Sequence, residues 1–206
     1  MMTGRAIAGM IGWLAMATAA TAAERLVLEP YPGGPWYDVV NQSGPGGLVH
    51  EQMPQGQTPQ DPRDVLTAQS MKGSRASPAS FITGAFSQLG QSCDKVETVG
   101  PTTEVEAGRA VSYGRFYCGK LKDKPYGAHV FFKAIQGSDA LYVIDRDFRV
   151  PASERPSVPA LPEDQAITFL QSEGAARKYL TDKVYVCDPV FPEARCGAGE
   201  AVPTGR

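Results

Sequence analysis

Apolar residues recur every three or four positions between residues 77 and 92, which is the clearest helical pattern in the chain. The apolar positions are Phe81, Ile82, Ala85, Phe86 and Leu89. This spacing predicts a helix with one apolar stripe that packs in the core. Ser77 is a favourable N-cap and Pro78 fits the first helical position. Gly84 weakens the helix, and Gly90 helps to end it.

Short apolar segments bounded by turn residues predict strands on both sides of this helix. The predicted strands cover residues 26–28, 36–40 and 48–49 before the helix, and 95–99, 109–118, 128–135 and 140–150 after it. The segment 64–71 fits either a strand or a helix. Residues 53–62 contain three prolines and three glutamines and predict a loop. Residues 136–139 predict a compact hairpin turn.

Some of the later strands carry consecutive apolar residues, such as Val130, Phe131 and Phe132. Strands that are apolar on both faces are covered on both faces. We therefore expect the helix at 77–92 to cover one face of the sheet and a further layer to cover the other.

A second helix is predicted to begin at residues 162–164, where acidic side chains suit the positive end of a helix. Its apolar side is expected at Ala166, Ile167, Phe169 and Leu170. Gly174 is expected to break it before residues 175–180. Residues 151–162 contain four prolines and predict an extended linker, and residues 184–187 predict a last short strand.

Together these elements predict an α+β fold with a single domain, in which helices pack on an antiparallel sheet. We divide the chain into an export signal at 1–22, a core at 23–150, a C-terminal segment of the same domain at 151–196, and a disordered tail at 197–206. The chain without its signal is long enough to bury its own core.

Residues 1–22 have the composition of a removable export signal. Arg5 supplies the positive start, residues 6–17 are mostly apolar, and residues 20–22 form a small-residue cleavage site. A membrane span needs about 20 strongly apolar residues, which this run does not reach; an uncleaved signal anchor is the alternative. The signal predicts a periplasmic or extracellular protein without a transmembrane span after cleavage.

The charge balance excludes two classes of partner. Cleavage after residue 22 leaves 184 of the 206 residues and removes one charged residue, Arg5, so that 19 basic residues remain against 22 acidic ones. The charges are well mixed, without a block of lysine or arginine. We therefore expect neither nucleic acid nor an anionic membrane surface as a partner.

The four cysteines of an exported chain are read as disulfide partners. Three pairings are possible, and we favour Cys93 with Cys118 and Cys187 with Cys196. Redox catalysis usually requires a Cys-x-x-Cys pair, which the sequence lacks. A zinc site is weaker still, because no close cysteine or histidine pair has ligand spacing.

The first pairing also has a geometric argument. If 95–99 folds back against 109–117 with the turn centred between Val105 and Glu106, Cys93 and Cys118 face each other. Directly opposed Cα atoms of antiparallel strands lie about 4.5–5.5 Å apart, which a disulfide spans. The second pair would close a small loop and hold the C-terminal segment.

No residue is assigned a catalytic role. His50 and His129 lie outside any metal-binding motif, and His129 is expected to be structural. A serine, histidine and carboxylate triad assembled from distant positions stays open, but no G-x-S-x-G motif marks a nucleophile. Asp145 and Asp147 share a strand face with Arg149 and are expected to be solvated strand-edge charges. We therefore expect no metal and no cofactor.

Three stretches resemble the PsbP-like type of small exported α+β proteins. They are residues 53–57, the helix at 77–92, and the hairpin from 133–137 to 141–144. The resemblance covers roughly residues 36–150. It implies an antiparallel sheet with helices packed on it and a binding or assembly role without an active site. It carries over no functional residue.

The export signal and the absence of a catalytic motif favour a non-enzymatic binding or envelope-associated module. Its expected partner is an extracytoplasmic protein or a small ligand. One alternative is a small secreted hydrolase with dispersed catalytic residues and His50 or His129 as the base. Another is an inhibitor or immunity-type protein, for which a small disulfide-linked domain is suited.

Overall fold

The computed structural model describes residues 24–31, 34–187 and 196. In this part of the chain the elements are β1 (Arg25–Leu28), β2 (Trp36–Gly44), β3 (Gly47–Pro54), β4 (Asp64–Lys72), α1 (Pro78–Gly90), β5 (Val96–Glu106), β6 (Arg109–Cys118), β7 (Tyr126–Gln136), β8 (Ala140–Pro151), α2 (Glu163–Asp182) and β9 (Val184–Cys187). The predicted signal at 1–22 and tail at 197–206 lie outside the described residues.

Seven strands form one antiparallel sheet in the order β2-β3-β4-β8-β7-β6-β5, and β1 pairs with β9 in a separate antiparallel ribbon. The segment 64–71, which the sequence left open, is strand β4 and pairs with β8. The structure thus confirms the α+β fold with an antiparallel sheet and helices packed on it.

Each face of the large sheet has its own core. On one face, Ile82 and Phe86 of α1 pack against Phe116 and Phe132. On the other, α2 and the β1–β9 ribbon cover a second cluster that includes Phe131. Alternation along β7 therefore sends Phe131 to one core and Phe132 to the other. The expectation of a sheet covered on both faces is confirmed.

Helix α1 forms as predicted. The Ser77 hydroxyl accepts a hydrogen bond from the Ser80 backbone N–H at 3.2 Å, and Pro78 occupies the first helical position. A Cβ added at Gly114 of β6 would lie 2.6 Å from Cγ2 of Ile82. The missing side chain at Gly114 lets the helix approach the sheet closely.

The prediction for the second helix was wrong in two respects. Helix α2 continues through Gly174, because one glycine costs only about 1 kcal/mol relative to alanine and packing outweighs it. Ile167 and Leu170 are also 54% and 59% exposed. The helix is buried mainly through its C-terminal half, at Glu173, Ala176, Tyr179 and Leu180. Strand β9 follows directly and pairs with β1, which holds that end of α2 on the sheet.

The predicted hairpin register was also wrong. The turn lies at Ala107 and Gly108, which both adopt positive φ, so Cys118 faces Val96 rather than Cys93. Two-residue turns with positive φ at both positions match the twist of a hairpin. The Gly100–Pro101 segment is a register shift within β5.

Both predicted disulfides are present. Cys93 precedes β5, and its backbone forms an isolated antiparallel β-bridge with Leu121. The Cα atoms of Cys93 and Cys118 are 5.7 Å apart. The Cα atoms of Cys187 and Cys196 are 5.6 Å apart. The first pairing is therefore correct although the register that argued for it is not, because Cys93 reaches Cys118 from beyond the end of the strand.

Candidate functional site

A groove of about 420 Å³ lies between α1 and the sheet. It exists because α1 packs on β5, β6 and β7 and leaves part of β4 and β8 uncovered. Phe81, Ala85 and Leu89 of α1 form one wall, and Val130 and Phe132 of β7 form part of the floor. The groove is therefore apolar on the helix side.

Two carboxylates complete the floor of this groove. Asp145 and Asp147 point from β8 to the α1 side, and Gln69, Gln88 and Ser92 add polar groups to the lining. The sequence correctly predicts a shared face for the two aspartates. It wrongly places them at a solvated strand edge, because β8 is a central strand between β4 and β7 and both side chains are half-buried.

Burial sets the electrostatics of the two carboxyl groups. It raises the pKa of Asp145 to about 8, with a further increase from the charge of Asp147 and an opposing hydrogen bond from Thr67. Burial also raises the pKa of Asp147 to about 6, against the lowering effect of His129. Within the described residues neither carboxylate belongs to an ion pair. In the described part of the chain no cationic side chain contacts either carboxyl group, so burial favours their protonated form until a cation is supplied.

Arg149, which was expected on the same solvated face, does not neutralise them. Its guanidinium donates to Asp61 and lies 4.9 Å from the centre of the Tyr126 ring. It lies two residues further along β8, where the strand faces the loop before β4. Among the residues that the structure describes, the acidic floor of the groove thus has no adjacent basic partner.

His129 is structural, as expected, and lies on the opposite face of the sheet. It is fully buried, with Nδ1 2.6 Å from Glu173 Oε1 and Nε2 2.7 Å from the Pro156 carbonyl oxygen. A carbonyl only accepts, so Nε2 carries a proton and donates it. Because both ring nitrogens are occupied, His129 is not available as a general base in this geometry.

His50 is also buried on the face away from α1. Its Nε2 lies 2.9 Å from Asp38 Oδ1, which also accepts from the Gln52 amide at 2.9 Å. No described residue offers a hydrogen-bond partner to Nδ1. Neither histidine lines the groove that holds Asp145 and Asp147. The structure therefore does not bring the predicted histidines and the acidic pair together.

Arg146, between the two aspartates in sequence, points to the opposite face. Its guanidinium donates two hydrogen bonds to Asp64, at 2.8 and 2.6 Å, and lies 3.9 Å from the centre of the Tyr31 ring. Trp36 and Phe148 contact the same guanidinium. This buried cation is neutralised and stacked, which is a structural arrangement.

Some of these residues carried a sequence signal that was missed. Phe169, Glu173, Ala176 and Leu180 follow helical spacing, so an acidic residue stands within a buried stripe. That position indicates a buried partner, here His129. Gln69, Gln88 and Ser92 carried no such signal, because they meet only through tertiary packing.

In the described part of the chain, no group of three or more histidine, cysteine or acidic residues is arranged to hold a metal ion. Within the same ranges, neither helix combines the length and hydropathy that crossing a membrane requires.

No protein-family model matches the chain, and no curated protein matches its sequence. Among solved structures, it is similar to LpqN, involved in cell envelope biogenesis of Mycobacterium tuberculosis, with 15% identity, 84% of this chain and 88% of the other covered, and a TM-score of 0.44. It is also similar to the cyanobacterial PsbP protein CyanoP of Synechocystis sp. PCC 6803, with 14% identity, 87% and 100% covered, and a TM-score of 0.44. At these values the likeness assigns no function.

Proposed function

We propose that this protein is a non-enzymatic, extracytoplasmic binding module whose groove between α1 and the sheet takes a cationic group on a short apolar stem. The observation that carries the proposal is the pair of carboxyl groups of Asp145 and Asp147, without a cationic partner among the described residues, on the floor of a groove that has one apolar wall.

Desolvation makes the two carboxyl groups favour a cationic ligand. Removing a carboxylate from water is costly unless a cation or hydrogen-bond donors replace the water. An ammonium or guanidinium group placed between Asp145 and Asp147 would supply both charge and donors. Groups with strongly raised pKa values in a cleft are typical of binding and active sites.

The apolar wall of the groove favours a hydrocarbon stem on this ligand. Phe81 and Leu89 of α1 and Val130 of β7 offer apolar surface beside the carboxylates. A hydrocarbon stem would remove this surface from water at about 25 cal/mol per Å². A volume of about 420 Å³ lies within the range of small-ligand pockets.

The compartment is part of the proposal. The export signal expected at residues 1–22 directs the chain out of the cytoplasm, and two disulfides fit an oxidising compartment. Envelope association and a periplasmic or extracellular location are proposed on this basis.

The test compares hexylamine, which is protonated at neutral pH, with hexanol of the same chain length. Titration followed by calorimetry and by NMR of the labelled protein measures affinity and locates the ligand. We expect hexylamine to shift the signals of residues around Phe81, Leu89 and Asp145, and to bind at least tenfold more tightly than hexanol.

The matched variants are Asp145→Asn and Asp147→Asn, which keep the shape and remove the charge. Asp123→Asn is the control, since Asp123 is exposed in the loop between β6 and β7. Each groove variant should weaken hexylamine binding at least tenfold and the control less than twofold. Equal affinity for hexylamine and hexanol, or undiminished binding by both groove variants, would refute the proposal.

A further inference from the structure

A second cavity, of about 300 Å³, lies on the opposite face of the sheet from the groove. It opens between the edge hairpin β5–β6 and the C-terminal half of α2. Val99, Tyr113, Phe131 and Leu180 provide its apolar lining. The cavity is separate from the groove because the sheet itself lies between them.

Two arginines from different elements line this cavity. Arg115 comes from β6 and is half-buried, and Arg177 comes from α2 and is exposed. Among the described residues, neither guanidinium forms an ion pair within 4.0 Å. Arg115 interacts with the Tyr117 hydroxyl, which is uncharged and leaves the positive charge of the guanidinium unneutralised. By contrast, Arg146 and Arg149 of the same sheet each pair with an aspartate.

The nearby acidic residues do not cancel this charge. Glu106 accepts from Lys133 Nζ at 2.8 Å and from the Tyr113 hydroxyl, so both of its oxygens are engaged. Glu104 is the one acidic side chain in the described lining. Glu173 also lies near Tyr117, but it is engaged by His129 Nδ1 at 2.6 Å and does not line the cavity. Among the described lining residues, two guanidinium groups therefore stand against one carboxylate, which gives the lining a net positive charge.

We propose that this cavity is a binding site for a small organic anion, a carboxylate or phosphate ester with a short apolar body. Guanidinium groups bind such oxygens in charge-assisted, bidentate hydrogen bonds. Arg115 and Arg177 hold the anionic group, and the surface of Phe131 and Leu180 contacts the apolar body. This site does not depend on the acidic groove.

The test titrates the labelled protein with hexanoate and hexyl phosphate, with hexanol as the neutral probe of the same length. We expect at least one of the two anions to bind saturably, to shift the signals of Val99, Arg115 and Thr181, and to bind at least tenfold more tightly than hexanol. Whichever anion binds more tightly identifies the preferred headgroup.

Arg177→Gln is the decisive variant, because this exposed residue is removed without disturbing the core. It should weaken anion binding at least tenfold, whereas the control Lys178→Gln, which removes the neighbouring exposed cation of α2, should change it less than twofold. Arg115→Gln should weaken anion binding by a similar factor, and circular dichroism checks that this variant is folded.

Three results would overturn this proposal: no saturable binding of either anion, equal binding of hexanol, or undiminished binding in Arg177→Gln. The variant Asp145→Asn separates the two sites. It should leave anion binding unchanged whether or not the acidic groove binds amines.

Discussion

The buried charges on the two faces of the sheet are satisfied very differently. On the α2 face, His129 contacts Glu173 and Arg146 contacts Asp64, so each charge has a partner. On the α1 face, Asp145 stands beside Asp147, a residue of like charge. Buried charge is usually paired, and an unpaired buried carboxyl group with a raised pKa in a cleft is a candidate for a binding site.

The acidic pair should make the ligand-free protein less stable as the pH rises. The pKa values of Asp145 and Asp147, about 8 and about 6, lie above the ordinary value of 3.8, so the folded state binds more protons than the unfolded state in this range. Stability is therefore full below pH about 4 and is lost as the pH rises through the folded pKa values. Solvent screens both half-buried carboxyl groups, so we expect only part of the free energy to which these full pKa shifts correspond. Relative to the double variant Asp145→Asn/Asp147→Asn, the wild-type protein should lose about 2–3 kcal/mol between pH about 4 and pH about 9.

Urea denaturation at a series of pH values measures this difference. The exposed Asp123→Asn serves as the control and should follow the wild-type curve. Parallel curves for the wild-type protein and the double variant would show that the two carboxyl groups titrate normally.

The His129 pair gives a second prediction at the scale of single residues. Glu173→Ala removes the partner of a buried ring nitrogen and should destabilise the fold by about 3 kcal/mol. Glu173→Gln should keep most of the stability, because its amide donates to Nδ1 while Nε2–H still donates to Pro156. Gln171→Ala, at an exposed position of the same helix, is the control.

Chemical denaturation of these three variants measures the differences. A loss in Glu173→Gln as large as that in Glu173→Ala would mean that the contact needs the negative charge rather than the hydrogen bond.

Among the elements, α1 was predictable from local sequence, whereas other elements depend on tertiary contacts. Its cap at Ser77, its start at Pro78 and its buried Ile82 follow from nearest-neighbour rules and were predictable. The exact position of the hairpin turn within the turn-rich stretch 100–108 was not, because alanine rarely adopts positive φ and so does not mark position 107. The length of α2 was missed because packing of Tyr179 and Leu180 outweighs the weak helix propensity of Gly174.

Two glycines should respond in opposite directions to substitution by alanine. Gly84 is exposed in α1 with nothing within 4 Å of an added Cβ, so Gly84→Ala should stabilise the protein by about 0.5–1 kcal/mol. Gly114→Ala would bring a Cβ to 2.6 Å from Ile82 and 2.7 Å from Phe86, and should destabilise it by about 1–3 kcal/mol. Thermal denaturation of both variants tests the close approach of α1; a neutral Gly114→Ala would contradict it.

At the scale of the whole molecule, the layered fold was predictable and the acidic site was not. Consecutive apolar residues in β7 require cover on both faces, whatever the strand order. The position of Asp145 and Asp147 depends instead on β8 lying between β7 and β4, and the sequence left β4 undecided between strand and helix. Long-range strand order is a tertiary property that a local pattern does not carry.

The two disulfides should contribute unequally to the stability of the whole chain. Cys93 and Cys118 are 25 positions apart, and Cys187 and Cys196 are 9 apart. In the chain-entropy account a longer loop constrains the unfolded state more, so Cys93→Ala/Cys118→Ala should cost about 3–4 kcal/mol and the other double variant about 1 kcal/mol less. Denaturant titration of both variants measures this order, and the reverse order would contradict it.

The central claim is that Asp145 and Asp147 form a desolvated acidic site that a cation completes. The most direct measurement is an NMR titration of the Asp145 carboxyl carbon against pH, in the free protein and in the presence of saturating hexylamine. We expect a midpoint well above 3.8 in the free protein, and a clear fall on addition of the amine, because a bound cation favours the ionised carboxylate. An ordinary midpoint in the free protein, or a raised midpoint that hexylamine leaves unchanged, would contradict the claim.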